Sequence, residues 1–134
     1  MSSMLDKEIG FHQAALDVRA YRQQLLASNI ANADTPHYKA RDVDFKAALA
    51  GAVNGRLEHL ALSTTSQRHL GPAGGNPLEA FSGYRGELQS SVDGNTVNMD
   101  VERSAFAENA LHYEASITFI NGLLRTMQQA VQGQ

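Results

Sequence analysis

Residues 99–131 read MDVERSAFAENALHYEASITFINGLLRTMQQAV, and this stretch decides the fold. Positions alternately four and three apart are almost all apolar, and Arg103 is the one charged residue among them. Such a sustained heptad pattern is typical of a helix that packs lengthwise against other helices. The predicted helix seam runs between Met99 and Val131 and comprises Phe106, Ala110, Tyr113, Ile117, Ile120, Leu124 and Met127.

A second apolar row lies almost opposite the seam on the same helix. Its members are spaced four apart, so they share one face, and they are Leu111, Ala115, Phe119 and Leu123. One partner helix cannot cover both faces. Residues 115–124 also contain no charge, whereas a two-stranded coiled coil normally has charged flanks. We therefore expect this helix to lie inside a many-helix assembly.

The amino-terminal part predicts another long helix, over residues 5–32, in which Gly10 is the only helix-breaking residue. It too has apolar residues on more than one face, although a helix of a small globular bundle would also show a broad apolar arc. From the rows of both helices we take seven candidate subunit interface residues: Phe11, Val18, Tyr21, Leu25, Leu111, Phe119 and Leu123.

The chain length makes an elongated shape more plausible than a sphere. A 33-residue helix is about 50 Å long, whereas a globule of 134 residues is roughly 35 to 40 Å across. The prediction is an all-α fold, an elongated antiparallel hairpin of the terminal helices with a long extended or looped middle. Residues 1–38 and 98–134 form the assembly domain, and residues 39–97 contain a short helix and the loop.

The middle of the chain is rich in turn-forming residues, because residues 51–94 hold eight of the eleven glycines and two of the three prolines. Before it, Asp42 or Asp44 is expected to cap a short helix that Gly51 closes. Residues 57–62 alternate in a way that predicts one short strand, and Asp93 with Gly94 predicts a hairpin turn between residues 87–92 and 95–98.

Charge and composition argue against several functions. A net charge of -3 without a basic stripe disfavours nucleic acid as a partner. Charged residues at positions 6–8 and the lack of a long apolar run argue against a cleaved secretory signal and against direct membrane insertion. The five histidines show no metal-binding spacing, and no nucleophile elbow or phosphate loop is present. We therefore predict no catalytic residue, no cofactor and no metal site, and hence no enzyme.

The end of the first helix carries the most specific motif. Asn and Asp side chains can bond to backbone groups at a helix end, and the following proline prevents the helix from resuming. The sequence from position 29 to 38, NIANADTPHY, resembles the signature of bacterial flagellar rod and hook proteins. The signature residues are Asn29, Ile30, Ala31, Asn32, Thr35, Pro36 and Tyr38.

Further motifs narrow the resemblance to flagellar proximal rod proteins of the FlgB type. They are KARDVDF at 39–45, DGNTV at 93–97, MDVE at 99–102 and AENALHY at 107–113, in the family's order. One position departs from the family, which commonly has glycine after the proline, where this chain has His37. Because positive φ is unfavourable for His, we do not expect a glycine-type turn there.

The resemblance implies a structural subunit that self-assembles into the tubular drive shaft of the flagellar basal body, in the periplasmic space. Implied partners are copies of itself, other rod proteins of the FlgC, FlgF and FlgG type, a FliE-type adaptor to the MS ring, and the type III export apparatus. Export without a cleaved signal is implied, with Phe45 and Leu49 as a candidate export element. The alternative is a soluble coiled-coil adaptor or secretion chaperone, which would form a discrete cytoplasmic oligomer.

Overall fold

Two long helices form the frame of the molecule. The computed structural model describes residues 4–54, 76–86 and 91–133. Helix α1 spans Met4–Ala31, strand β1 Arg41–Val43, helix α2 Phe45–Val53, a 3₁₀ helix Pro77–Phe81, strand β2 Ser82–Tyr84 and helix α3 Met99–Val131. The predicted mostly helical fold with long terminal helices is confirmed.

Helices α1 and α3 pack antiparallel along most of their lengths. Asn29 near the end of α1 contacts Glu102 at the start of α3, and the rings of His12 and Phe119 lie 4.7 Å apart at the other end. Helix α3 begins after Asn98, whose side chain accepts hydrogen bonds from the backbone N–H groups of residues 100 and 101. Within the described residues, no helix is long and apolar enough to cross a membrane.

A small second layer covers one side of α1. Strands β1 and β2 pair antiparallel, with Arg41 opposite Tyr84 and Val43 opposite Ser82. The buried core lies between this layer and α1, and Tyr21, Leu25, Phe45 and Phe81 pack around it. The sequence did not predict these strands, since each is only three residues long. The core residues are Val18, Val43, Ala48 and Leu78.

Helix α2 begins as expected and ends later than expected. The Asp44 carboxylate accepts a hydrogen bond from the backbone N–H of Ala47 at 3.0 Å, which is a helix N-cap. The prediction that Gly51 closes the helix is wrong, because α2 continues to Val53. Gly51 instead allows the Phe81 ring to pack closely against α2, because a Cβ atom at this position would lie 2.5 Å from the ring.

Two predictions concerned extended structure in the middle of the chain. The strand predicted at residues 57–62 lies outside the described residues, as do residues 87–90 of the predicted hairpin. Gly94 does form a turn, with φ of 72° and its N–H donating to the Ser91 carbonyl at 3.2 Å. Residues 95–98 form no strand; the Asn95 side chain and a single backbone bond, from the Thr96 N–H to the Tyr38 carbonyl, attach them to the segment that follows α1.

Candidate assembly site at the helix junction

The signature residues build the turn that ends α1. The Asn32 side chain donates to the Ser28 carbonyl at 2.8 Å, and Thr35 Oγ1 donates to the Asn32 side-chain oxygen at 3.1 Å. Ile30 is half-buried, and Ala31, Thr35 and Pro36 are exposed. We call residues 29–42 together with residues 91–102 the helix junction, because they connect the end of α1 to the start of α3.

Asn29 is the central residue of the helix junction, and it is fully buried. Its Nδ2 donates to the Arg41 carbonyl at 2.7 Å and to Glu102 at 3.1 Å. Its Oδ1 accepts from the Arg41 N–H at 3.0 Å and from the Tyr38 hydroxyl at 3.3 Å. An amide is the one side chain that supplies both a donor and an acceptor in this way. Asn29 therefore pairs with Arg41 as a neighbouring strand would, and covers the free edge of β1.

Asn95 makes the corresponding contacts from the other side of the junction. Its Nδ2 lies 2.8 to 3.0 Å from the carbonyl oxygens of Asn32, Ala33 and Thr35, and its Oδ1 accepts from the Val97 N–H at 2.8 Å. These carbonyls belong to the turn that follows α1, outside the hydrogen-bond ladder of the helix, and buried backbone groups need partners. Asn95 satisfies them and thereby attaches the segment before α3 to the end of α1.

Backbone bonds reinforce this attachment at the position where the chain departs from the family pattern. The His37 N–H donates to the Asp93 carbonyl at 3.0 Å, and the Thr96 N–H donates to the Tyr38 carbonyl at 3.0 Å. His37 adopts φ of 61°, so our expectation that it would avoid the glycine-type conformation is wrong. The two backbone hydrogen bonds, from the His37 N–H and to the Tyr38 carbonyl, hold the turn and offset the strain of a positive φ.

Four charged side chains meet next to Asn29. Asp42 accepts from Arg22 Nε at 2.9 Å and from an Arg85 guanidinium nitrogen at 2.7 Å. Arg85 also contacts Glu102, which is completely buried. A buried carboxylate is tolerated only when paired and hydrogen-bonded. Two positive and two negative groups give a locally neutral cluster that joins α1, β1, α3 and the residue after β2.

The pKa of Asp42 reflects this arrangement. Burial by itself raises the pKa of the Asp42 carboxyl, whereas the hydrogen bonds from Arg22 and Arg85 lower it and prevail, so the net shift is downwards. The hydrogen bond to Asp42 correspondingly raises the pKa of Arg22. All of these contacts hold structural elements together, and the described residues contain no group of His, Asp and Glu side chains arranged to hold a metal ion.

A third buried asparagine lies in the middle of the helix pair. Asn109 of α3 donates to the Arg19 carbonyl at 2.9 Å and to the Gln23 side chain at 2.6 Å. With Glu102 it places polar residues on the side of α3 that faces α1. The buried and half-buried positions of that side alternate four and three apart: Glu102, Phe106, Asn109, Tyr113, Ser116, Ile120, Leu123 and Met127.

The predicted helix seam is thus divided between two surfaces. Phe106, Tyr113, Ile120 and Met127 are half-buried on the side of α3 that faces α1, and Ala110 is half-buried at its edge. The other seam residues lie on the flank, where Ile117 is 37% and Leu124 46% exposed.

The candidate interface residues also differ in exposure. Val18 has no exposed surface and belongs to the core of the chain, and Tyr21 and Leu25 pack partly buried against that core. Leu123 is half-buried. The side chains left exposed are Phe11 at 42%, Leu111 at 71% and Phe119 at 57%.

The candidate export element lies at the start of α2. Phe45 packs against the core, and the Arg19 guanidinium lies 4.3 Å from the centre of its ring. Leu49 is half-buried one turn later, on the same side of the helix.

Sequence reasoning did not identify six of the residues that hold the site together. They are polar, so a search for apolar periodicity passes over them. A signal was nevertheless present for four of them, since the motifs at 39–45, 93–97, 99–102 and 107–113 contain Asp42, Asn95, Glu102 and Asn109. The missed residues are Arg22, Asp42, Arg85, Asn95, Glu102 and Asn109.

Comparisons with known proteins agree with this organisation. The family model described as "Flagella basal body rod protein" matches residues 9–39, which include most of α1 and the signature turn. The flagellar basal body rod protein FlgB of Proteus mirabilis strain HI4320 is 47% identical, over 98% of both chains. The proteins of the same name from Salmonella typhimurium strain LT2 and Cereibacter sphaeroides strain ATCC 17029 are 44% and 46% identical, over 99% and 95% of both chains respectively.

These similarities extend over nearly the whole chain and include both ends of the helix junction, so the chain belongs to the FlgB family of flagellar basal body rod proteins and is a structural subunit of the flagellar rod.

Proposed function

We propose that this subunit builds the proximal part of the rod by packing its helix pair against copies of itself and against other rod proteins. The single observation that carries the proposal is the apolar surface left open on α3. Leu111 and Phe119, which belong to the second apolar row of α3, are 71% and 57% exposed. Large apolar side chains that recur along one helix mark an interaction surface more often than a free one.

The helix junction supports a mechanical role for the subunit. Asn29, Asn95 and the cluster around Asp42 connect both helices and the strand layer through side chains that are buried or half-buried. Such bonds have specific directions, so they resist changes in the angle between the elements they join. In a tube of many copies, a stiff subunit transmits torque without bending.

We further propose the following location and partners. The rod stands in the periplasmic space, and the chain reaches it through the type III export apparatus without loss of a signal segment. Neighbours are rod proteins of the FlgC, FlgF and FlgG type and a FliE-type adaptor next to the MS ring. Phe45 and Leu49 serve as the export element while the chain is unfolded, since in the folded chain Phe45 packs against the core. The subunit works by packing and not by catalysis.

Replacing Leu111 with Asp tests the proposal. The side chain is exposed in the single chain, so folding should be unaffected, whereas in the assembled rod an unpaired carboxylate would be buried. In a strain without its own copy of the protein, Leu111→Asp should abolish motility and rod assembly. Swimming assays and electron microscopy of isolated basal bodies measure the two effects.

Leu111→Met is the matched control, because it keeps an apolar side chain of similar volume and should leave motility intact. Thermal unfolding of purified Leu111→Asp should match that of the unchanged chain. Normal rods carrying Leu111→Asp would overturn the assignment of this surface to subunit contacts. A discrete dimer or tetramer that stays in the cytoplasm would favour the adaptor or chaperone instead.

A further inference from the structure

Arg19 is a half-buried arginine of α1 whose positive charge has no ion-pair partner in the described part of the chain. Its Nε atom is buried and donates no hydrogen bond there. Its guanidinium lies 4.3 Å from the centre of the Phe45 ring, and this contact holds the planar group in place between α1 and α2. A buried donor without an acceptor is costly, so the single chain leaves Arg19 incompletely bonded.

Arg22, one turn further along α1, provides the contrast. Its guanidinium donates two hydrogen bonds to the Asp42 carboxylate, at 2.9 and 3.1 Å. The charged cluster that contains this pair has two positive and two negative groups. It is neutral as a whole, so none of its carboxylates remains to balance Arg19.

The electrostatics of Arg19 agree with its lack of a partner. Burial lowers the pKa of the Arg19 guanidinium, and the nearby positive charge of Arg22 lowers it further. The negative charge of Glu108 on α3 raises this pKa but does not reverse the shift. The Glu108 side chain is largely exposed, and its carboxylate lies 3.7 Å from His112 Nε2. The charged form of Arg19 is therefore less well stabilised in the single chain than in water.

Arg19 also lies close to the surface that we assign to subunit contacts. His12 precedes it by seven residues, so both lie on the same side of α1, about 10 Å apart along the axis. The His12 ring contacts Phe11 and Phe119, with ring centres 5.5 and 4.7 Å away, and both phenylalanines are exposed. A neighbouring subunit that covers these two rings would also remove water from Arg19.

We propose that Arg19 is the binding site for a carboxylate side chain of a neighbouring rod subunit. A guanidinium presents its N–H groups in a planar fork that matches the two oxygens of a carboxylate. Covering Arg19 without such a partner would bury an uncompensated charge, whereas an acidic residue of the neighbour supplies the opposite charge and hydrogen-bond acceptors. The inference rests on the proposed rod function and adds the chemistry that the neighbour must carry at this place.

Replacing Arg19 with Met separates a role in assembly from a role in folding. Methionine keeps an unbranched, apolar side chain that can pack on Phe45, and it removes the charge. We expect the thermal unfolding midpoint of purified Arg19→Met to stay within about 2 °C of that of the unchanged chain, because no ion pair is lost. In a strain without its own copy of the protein, Arg19→Met should abolish rod assembly and swimming.

Arg22→Met is the matched control for stability. It removes a hydrogen-bonded partner from Asp42, so the unfolding midpoint should fall by roughly 5 °C. Arg19→Lys is the control for charge, and it should swim better than Arg19→Met because it keeps the positive group. Should Arg19→Met fail to fold, Arg19→Gln takes its place with the same expected results.

Two other sources of negative charge are tested alongside. If Glu108 of the same chain were the partner, Glu108→Gln would lose swimming as Arg19→Met does. If a soluble anion were the ligand, sodium phosphate would raise the unfolding midpoint of the unchanged chain and not that of Arg19→Met. We expect neither result, and either one would overturn the inference.

Normal rods built from a stably folded Arg19→Met variant would also overturn it. So would equal losses of stability in Arg19→Met and Arg22→Met, which would show a role in folding, or an Arg19→Lys variant that swims no better than Arg19→Met. The proposed function is judged separately, because it stands if Leu111→Asp abolishes rods while Arg19→Met does not.

Discussion

At the residue level, buried asparagines hold together segments of this chain that apolar side chains would hold together in most helix pairs. Asn29, Asn95 and Asn109 are all more than nine-tenths buried, and their amide groups bond to backbone groups of other segments. A leucine at any of these positions would leave backbone donors or acceptors unpaired. The helix junction and the middle of the helix pair therefore depend on amide chemistry, and these three positions tolerate few substitutions.

The isosteric variant Asn29→Asp tests this dependence. It removes the donor to the Arg41 carbonyl and places a second carboxylate beside the buried Glu102. We expect the free energy of unfolding to fall by about 3 kcal/mol, which combines a lost buried bond with uncompensated charge. Urea denaturation of the purified chain, followed by circular dichroism, measures the change.

Asn98→Asp is the matched control, since the Asn98 side chain acts only as an acceptor at the start of α3. Aspartate keeps that role and interacts well with the helix N-terminus, so stability should change by less than about 0.5 kcal/mol. Equal losses in both variants would contradict the special role of Asn29.

At the level of the elements, α3 packs against α1 with one side and presents exposed flanks that we assign to contacts with other subunits. The side that faces α1 includes Glu102 and Asn109, whereas more strongly apolar residues such as Leu111 and Leu124 lie exposed on its flanks. When a helix has more apolar surface than its own chain covers, the isolated subunit is only moderately stable. Assembly then supplies the remaining contacts.

Two glycines in different elements should respond oppositely to the same change. Gly122 lies within α3 with nothing within 4 Å of an added Cβ, so Gly122→Ala should stabilise the purified chain by about 0.5 to 1 kcal/mol. Gly94 has φ of 72°, and a Cβ there would lie 2.8 Å from His37 Nδ1. Gly94→Ala should therefore destabilise the chain by about 1 to 2 kcal/mol. Thermal unfolding of both variants checks the signs, and a stabilised Gly94→Ala variant would show that the turn is not constrained.

On the scale of the whole molecule, the charged cluster connects parts that are distant in sequence. Arg22, Asp42, Arg85 and Glu102 come from four separate segments, and their charges balance. Because Asp42 is partly exposed, solvent screens part of its attraction to the arginines. The cluster's main effect is to determine how the segments fit together.

The stability of the chain should depend on pH through Asp42. Its folded-state pKa is lowered, so the unfolded chain takes up a proton first as the solution is acidified. The contribution of Asp42 is fully present above about pH 4, near the ordinary pKa of aspartate, and is lost as pH falls through the lower folded value. Urea denaturation between pH 7 and pH 3 should show declining stability.

Asp42→Asn should be less stable than the unchanged chain at neutral pH and should lose less stability on acidification. The two pH profiles should converge at the acid end, where both side chains are neutral. Parallel profiles would show that Asp42 does not contribute to the acid sensitivity.

Much of this protein is determined by the sequence alone, because helix formation is largely local. Heptad spacing predicted α3, and the turn residues after position 31 predicted the end of α1. Tertiary structure decided which side of α3 meets α1. Periodicity treats Glu102 and Asn109 as solvent-exposed, yet their bonding partners Asn29 and Gln23, 73 and 86 residues away, allow both to be buried. Tertiary structure also decided the pairing of β1 with β2, since three-residue strands gain stability only from contacts that folding brings together.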